Sequence, residues 1–497
     1  MSEQSFHRYE ELNEIETSGI LAYPYSFEIN CNSIDAKKQF ENKELTQSEE
    51  PINISQAGRI VAIRKMGKAS FVQIQDTVGR IQIYLKKDDL QNYDMLRLLD
   101  LGDIIGVKGY LFRTKTGEIS IHSTEFELLT KCLVPLPVAK EEIDEAGNKI
   151  VYDAFTDKEQ RYRQRYLDLN INYDVRDVFR KRAKIISCIR SFMDRNDWLE
   201  VETPVLHNTY GGAAARPFGT HLNALDIPLF MRISLELNLK KLIVGGFDGV
   251  YEIGKNFRNE GIDKTHNPEF TMMELYVAYK DYNWMMIKIE ELLSEVALKV
   301  NGSTTVKYKG IDINFAPPYR KVCMLDLISE KIGHDVSEMN VDEIRKIAQE
   351  LGVQTNNSMG KGKLIDEIFS EVIQPDLIQP TFVMDQPLEM VPLAKKHRTK
   401  NGLVEAWDLF INGQEIGPCF SELNDPRDQR SRFEEQLKLR ADGDDEAMLI
   451  DEDFLNALEV GLPPTAGVGI GIDRLTILLT GQDSIRDVIF YPMMRSL

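Results

Sequence analysis

Arg258, Glu260, His266, Glu269 and Glu274 crowd into "FRNEGIDKTHNPEFTMMELY", residues 257–276. From Glu269 to Tyr279 the residues alternate. Thr271, Met273, Leu275, Val277 and Tyr279 fall on one face of an extended chain, and Phe270, Met272, Glu274, Tyr276 and Ala278 on the other. The first face suits a core; the second mixes rings with an acid. The preceding arm, "GVYEIGKNFRNE", puts Glu252, Arg258 and Glu260 on one face. Antiparallel pairing of the two arms would merge these faces into one platform, and the loop "GIDKTHNP" brings His266 and Asn267 to it. A guanidinium neutralises phosphate or carboxylate through a planar fork, and Phe270 offers a stacking surface. The set suits an anionic ligand carrying a flat base.

Two further stretches carry chemistry. In "GVGIGIDRLTILLTG", glycines at 467, 469 and 471 share one strand face, and Asp473 and Arg474 precede an apolar helix. Glycine weakens a strand unless something must approach its backbone closely, so a nucleotide lying on this face with phosphate at Arg474 is the expectation. The spacing is neither a phosphate-binding P-loop nor a dinucleotide fingerprint. In "GQEIGPCFSEL", Glu415 and Glu422 lie on opposite faces of an unbroken strand, but Gly417-Pro418 suits a bulge or break that would bring both to one side. Carboxylates facing phosphates suit Mg²⁺, and a buried carboxylate also suits an ammonium group.

The elements that position these residues sit in a chain of 497 residues, too long for one core. No apolar run is long enough for a membrane span. The polar, acidic N-terminus reads as neither secretory signal nor transit peptide, which predicts a cytoplasmic protein. Five scattered cysteines without a CxxC pair suit reduced thiols rather than zinc. A net charge of −19 argues against coating nucleic acid through a general basic surface, though a local groove remains open. Residues 1–50 read as a helical extension. Residues 51–137 read as five short strands with a helical piece after the third, the order of an OB-fold barrel, in which Arg64, Phe71 and Gln82 share a face that suits unpaired bases. A charged linker covers 138–174, and one large domain covers 175–497 with a helical insertion at about 325–380.

"FMDRNDWLEVETPVL", "FRNEG…HNPEF" and "GIGIDRL" resemble motifs 1, 2 and 3 of the class II aminoacyl-tRNA synthetases. The barrel preceding them resembles the aspartate, asparagine and lysine subgroup. "GGAAARPF", "HNPEFTMMELYVAY", "SELND" and "GLPPTAGVGIGIDR" resemble its lysine-specific members, and the likeness spans about residues 50–497. The resemblance implies a multidomain α+β fold: an N-terminal OB barrel, then a catalytic domain built on an antiparallel sheet flanked by helices. It implies a homodimer with Pro204 at the interface. It implies ligation of L-lysine to tRNA(Lys) through lysyl-adenylate, with ATP as substrate and Mg²⁺ as cofactor.

The site residues follow from the same resemblance. Arg258, Glu260 and Arg474 would be catalytic, and Arg258, Glu260, His266, Asn267, Phe270, Glu415, Gly471 and Arg474 would bind ATP. Lysine would meet Gly212, Glu236, Arg258, Glu274, Tyr276, Phe420 and Glu422. Glu415 and Glu422 would ligate Mg²⁺, and Arg64, Phe71 and Gln82 would read the anticodon. Pro418 departs from the pattern, since many relatives have an Asn there that helps hold the substrate carboxylate. The rival readings are an aspartyl- or asparaginyl-tRNA synthetase, a lysine-adding enzyme that modifies a translation factor, and an inactive RNA-binding scaffold. Glu236 and "MMELYVAY" speak against the first, the barrel against the second, and the intact Arg258, Glu260 and Arg474 against the third.

Overall fold

A computed structural model of the chain describes residues 3–46, 50–137, 140–143, 149–152, 155–356, 359–441 and 447–496. It divides into two compact units, Met1–Thr156 and Asp157–Leu497. Residues 138, 139, 144–148, 153 and 154 of the expected linker lie outside the described residues.

The smaller unit is a closed five-stranded barrel of OB type. Its strands are β1 (Asn53–Met66), β2 (Ala69–Gln75), β3 (Arg80–Lys86), β4 (Ile104–Arg113) and β5 (Ile119–Thr130), in the order β1-β2-β3-β5-β4. Alternation fills it: Val72, Ile74, Ile81, Ile83, Leu85, Ile105 and Val107 point inward and are fully buried. Between β3 and β4 the expected helical piece is a pair of 3₁₀ turns, Lys87–Asp89 and Tyr93–Leu98. The N-terminal residues form two helices, α1 (Glu3–Thr17) and α2 (Ser33–Thr46). Ile15 of α1 joins the barrel core. Arg8 donates to the Cys132 carbonyl at 2.7 Å, and the enclosed Lys131 ammonium meets Glu11 at 2.8 Å, Asp100 at 2.8 Å and Asp103 at 3.2 Å.

The larger unit is built on an eight-stranded sheet. Its strands are β6 (Leu199–Glu200), β7 (Gly249–Phe257), β8 (Glu269–Ala278), β9 (Arg320–Cys323), β10 (Thr381–Met384), β11 (Ala406–Ile411), β12 (Gln414–Ser421) and β13 (Thr465–Gly471). The order is β9-β10-β11-β12-β13-β8-β7-β6, antiparallel except at its two edge pairs. One face packs on α3 (Tyr173–Arg195), α5 (Tyr282–Asn301) and α6 (Ile472–Thr480). Met273, Leu275 and Val277 lie in that core with Trp407, Leu409, Val468 and Ile470, so the odd face of β8 is the core face. Asp281 starts α5 by accepting from the Trp284 N–H at 3.1 Å, and Gly302 ends it at φ 76°. Part of the opposite face is covered by α4 (Glu236–Val244), whose Leu237, Leu239 and Ile243 pack with Val250, Tyr276 and Ala278.

Three helices, Met324–Ile332, Val341–Glu350 and Lys361–Ile368, form a satellite core within the expected insertion. The larger unit begins before residue 175. Arg165, in the short helix Arg165–Ile171, donates to the Phe490 carbonyl at 3.0 Å and the Arg486 carbonyl at 2.7 Å, and pairs with Asp168 at 2.6 Å. This end of the expected linker is therefore packed into the unit.

Candidate active site

β7 and β8 pair directly, with Val250 opposite Tyr276, Glu252 opposite Glu274 and Asn256 opposite Phe270. On the other side of β8, Met272, Glu274 and Tyr276 lie opposite Gly471, Gly469 and Gly467 of β13, and Phe420 of β12 also lies opposite Gly467. The three glycines thus form a bare stripe between two strands that carry side chains. A Cβ on Gly467 would sit 2.1 Å from Glu422 Oε1 and 2.3 Å from the Tyr276 ring. Glycine is required there because two functional groups occupy the space.

Arg258, Glu260, His266 and Asn267 lie in the loop between β7 and β8. The Arg258 guanidinium sits 5.2 Å from the Phe270 ring centroid. Burial pulls its pKa down, while the charges of Glu260, Glu415 and Glu274 pull it back. Glu260 is exposed, facing the Arg216 N–H at 3.4 Å. His266 is held by Asp263 at 2.8 Å and meets Arg474 at 3.2 Å. Arg474, in the first turn of α6 after Gly471, donates to the Glu415 carbonyl at 2.7 Å. Asn267 is buried, and its Oδ1 has no hydrogen-bond partner. Phosphate-binding types are therefore gathered at one end of the glycine stripe. Glu252 shares the sheet face, but its carboxylate is taken by Arg232 at 2.6 Å and by Thr203, so it fixes the scaffold instead.

The other end is acidic and closed. Glu274 accepts from the Ser234 hydroxyl at 3.1 Å, the Leu235 N–H at 3.0 Å and the Tyr276 hydroxyl at 3.0 Å. Burial, then the charge of Glu236, pushes its carboxyl up to about 7. Glu422 is 1% exposed, and burial pushes it up to about 8 against the opposing pull of Lys240. It is ion-paired through Oε2 with Lys240, which also pairs with Glu236 at 2.5 Å. Glu422 Oε1 has no partner. Gly212 holds φ +85°, and a Cβ on it would stand 3.3 Å from that of Glu236. Gly212, Glu236, Glu274, Tyr276, Phe420 and Glu422 thus line one neighbourhood.

The β12 bulge exists. Leu409 of β11 faces Gly417 and Phe410 faces Glu415, so Ile416 has no partner across the pair. Ile416 and Cys419 both enter the core, which leaves Glu415 and Phe420 on the site face. The same register puts Asp408 opposite Pro418. Burial, then the charge of Glu415, raises the Asp408 carboxyl well above the usual range. Sequence reasoning missed Asp408 and paired Glu415 with Glu422. The charge of Glu415 acts on Asp408, and Glu422 is ion-paired with Lys240. The signal was "AWDLF", one acid amid apolar residues. Among the described residues, no three His, Cys, Asp or Glu side chains are grouped to hold a metal. Two carboxylates suffice for Mg²⁺ that also rests on substrate phosphates.

In the barrel, Arg64 of β1 lies opposite Phe71 of β2, and Phe71 opposite Tyr84 of β3. Phe71 is partly exposed and its ring centroid is 5.1 Å from that of Tyr84, which touches Phe112 and His122. Gln82 donates to Ser120 at 3.0 Å on the same face. Tyr84, Phe112 and His122 were not singled out in the sequence, although alternation places Tyr84 beside Gln82.

With this geometry in hand, two families match. Residues 157–495 match the tRNA synthetases class II (D, K and N), and residues 54–129 match the OB-fold nucleic acid binding domain. The chain belongs to the class II tRNA synthetases. Within them it belongs with the lysine–tRNA ligases. Enzymes of that name from two strains of Porphyromonas gingivalis are 53% and 52% identical over the whole chain, which spans 86% of each. Another from Azobacteroides pseudotrichonymphae is 50% identical, with 99% of it spanned.

Proposed function

We propose that this chain joins L-lysine to tRNA(Lys) in two steps, with ATP as the activating substrate. The observation that carries the amino-acid choice is the closed acidic end, where Glu422 Oε1 is buried and unpartnered. A buried carboxylate oxygen left without a hydrogen bond is unfavourable by about 1–3 kcal/mol, more where the group is charged, and the ammonium of a lysine side chain removes that penalty. Aspartate or asparagine would not. The ε-ammonium meets Glu422 and Tyr276, the α-ammonium meets Glu236 and the Gly212 backbone, and the carboxylate meets Arg258. Glu274 braces Ser234 and Tyr276.

The lysine carboxylate attacks the α-phosphorus of ATP. A P–O bond forms, the bond to pyrophosphate breaks, and lysyl-adenylate results. No side chain serves as nucleophile, so catalysis rests on alignment and charge neutralisation. Arg258 neutralises the α-phosphate and Arg474 the γ-phosphate. Phe270 stacks on adenine, Glu260 accepts from its amino group, and His266 and Asn267 serve phosphates and ribose beside Gly471. The terminal ribose hydroxyl of tRNA then takes the lysyl group and AMP leaves. Mg²⁺, when bound, would neutralise phosphate charge, with Glu415 and Glu422 as the carboxylates to hold it and Asp408 a further acid acted on by the charge of Glu415.

The barrel face of Arg64, Phe71 and Gln82 takes anticodon bases by stacking and edge contacts. The exposed Val205 and Leu206 beside Pro204 suit the interface of a homodimer. No helix among the described residues is long and apolar enough to cross a membrane, and the reading places the enzyme in the cytoplasm. The test is exchange of labelled pyrophosphate into ATP without tRNA, offered lysine, aspartate or asparagine. Exchange with lysine alone is expected; exchange driven by aspartate or asparagine would overturn the pocket assignment.

A further inference from the structure

Within the site, the buried ion Lys240 is unused by this reading. Lys240 is fully enclosed, one turn beyond Glu236 on α4. Its ammonium bridges Glu236 and Glu422 and lies 5.8 Å from the Phe454 ring centroid. Burial alone would drive the proton off, but the two carboxylates outweigh that and raise its pKa. The ammonium is therefore a fixed internal cation inside the site.

Its position has a geometric consequence. On the functional reading above, on which this inference rests, Glu236 and Glu422 receive the two opposite ammonium groups of the substrate. Those carboxylates come from different elements, α4 and the end of β12. Lys240 ties them. By occupying Glu422 Oε2 it also leaves Oε1 facing Tyr276 and the Gly467 floor. We propose that Lys240 is a specificity-determining positioning residue. It sets the span between the two ammonium acceptors, so that lysine fits and a diamino acid one methylene shorter, ornithine, does not. Without this cation the carboxylates repel, and neither their separation nor the free oxygen of Glu422 is fixed.

The test uses the full chain with Lys240→Met, which keeps an unbranched apolar stem but removes the ammonium and its charge. Pyrophosphate exchange is measured with lysine and with ornithine, alongside the KM for ATP and the melting temperature. The lysine-to-ornithine ratio of kcat/KM is expected to fall about tenfold or more, the usual worth of one methylene. The loss should sit in the KM for lysine, with the KM for ATP unmoved. An unchanged ratio in a folded variant overturns the proposal, even if both rates fall together, because that is what a merely structural lysine gives. Should Lys240→Met not fold, Lys240→Arg carries the test. It keeps the charge but moves it outward, so the ratio must shift, and an unshifted ratio overturns the proposal. Wild-type protein that fails to exchange with lysine would instead overturn the functional reading itself.

Discussion

Single side chains decide the chemistry of this pocket through charges held away from water. Glu274 is the clearest case, with its carboxyl moved from 4.5 to about 7. It is faced by Ser234, Leu235 and Glu236 from α4 and the turn before it, by Tyr276 on its own strand, by Glu422 beyond β12 and by Arg258 beyond β7. A raised carboxyl means that the folded protein holds the proton more tightly than the unfolded chain. Its stabilising contribution is complete below 4.5 and is lost as pH rises through about 7. Lysine brings two ammonium groups, which favour the ionised form, so binding should expel a proton below that value. Lysine affinity is expected to rise between about pH 6 and 7, by about tenfold per unit for each carboxyl that ionises. Titration calorimetry in buffers of different ionisation heat would show the released protons, and Glu274→Gln should remove its own share, leaving that of Glu422, whose carboxyl burial pushes up to about 8. Gly467→Ala tests the floor directly. Its methyl meets Glu422 and Tyr276, and overpacking of this kind costs about 1–3 kcal/mol. The KM for lysine should rise while the KM for ATP holds.

At the scale of elements, alternation and glycine spacing make much of the sheet legible in the sequence itself. The odd face of β8 is core, and the glycines of β13 share the site face. Register was the hidden part. Which carboxylates meet across β11 and β12 depends on Ile416 being skipped, and a sequence records the chance of a bulge without its register. Lys240 was hidden for a similar reason, since a lysine in a helix ordinarily reads as a solvent-facing residue. The bulge also makes a prediction. Asp408 and Glu415 crowd each other, so ionised Asp408 is destabilising in the empty protein. Asp408→Asn should leave the melting temperature unchanged or raised. The Mg²⁺ concentration giving half-maximal exchange should rise about tenfold or more. A variant with unaltered Mg²⁺ dependence would return the metal to other residues.

The whole molecule carries a net charge of −19, yet its substrate is a polyanion. The two units resolve this by dividing the work. Each has its own core, centred on Ile74 and Val107 in one and on Met273 and Trp407 in the other. Recognition of RNA then needs a few aromatic and polar contacts on one barrel face, without a basic coat. Phe71 is the residue on which to test this separation. It is partly exposed, while its neighbours Val72 and Ile74 fill the barrel, so Phe71→Ala should leave the fold intact. Stacking on one ring contributes about 1–3 kcal/mol per base, so tRNA affinity should fall by roughly 5- to 150-fold. Pyrophosphate exchange without tRNA should not change, because that reaction is confined to the other unit. A parallel loss of exchange would mean that the barrel face supports the adenylate site, and the division of work would fall.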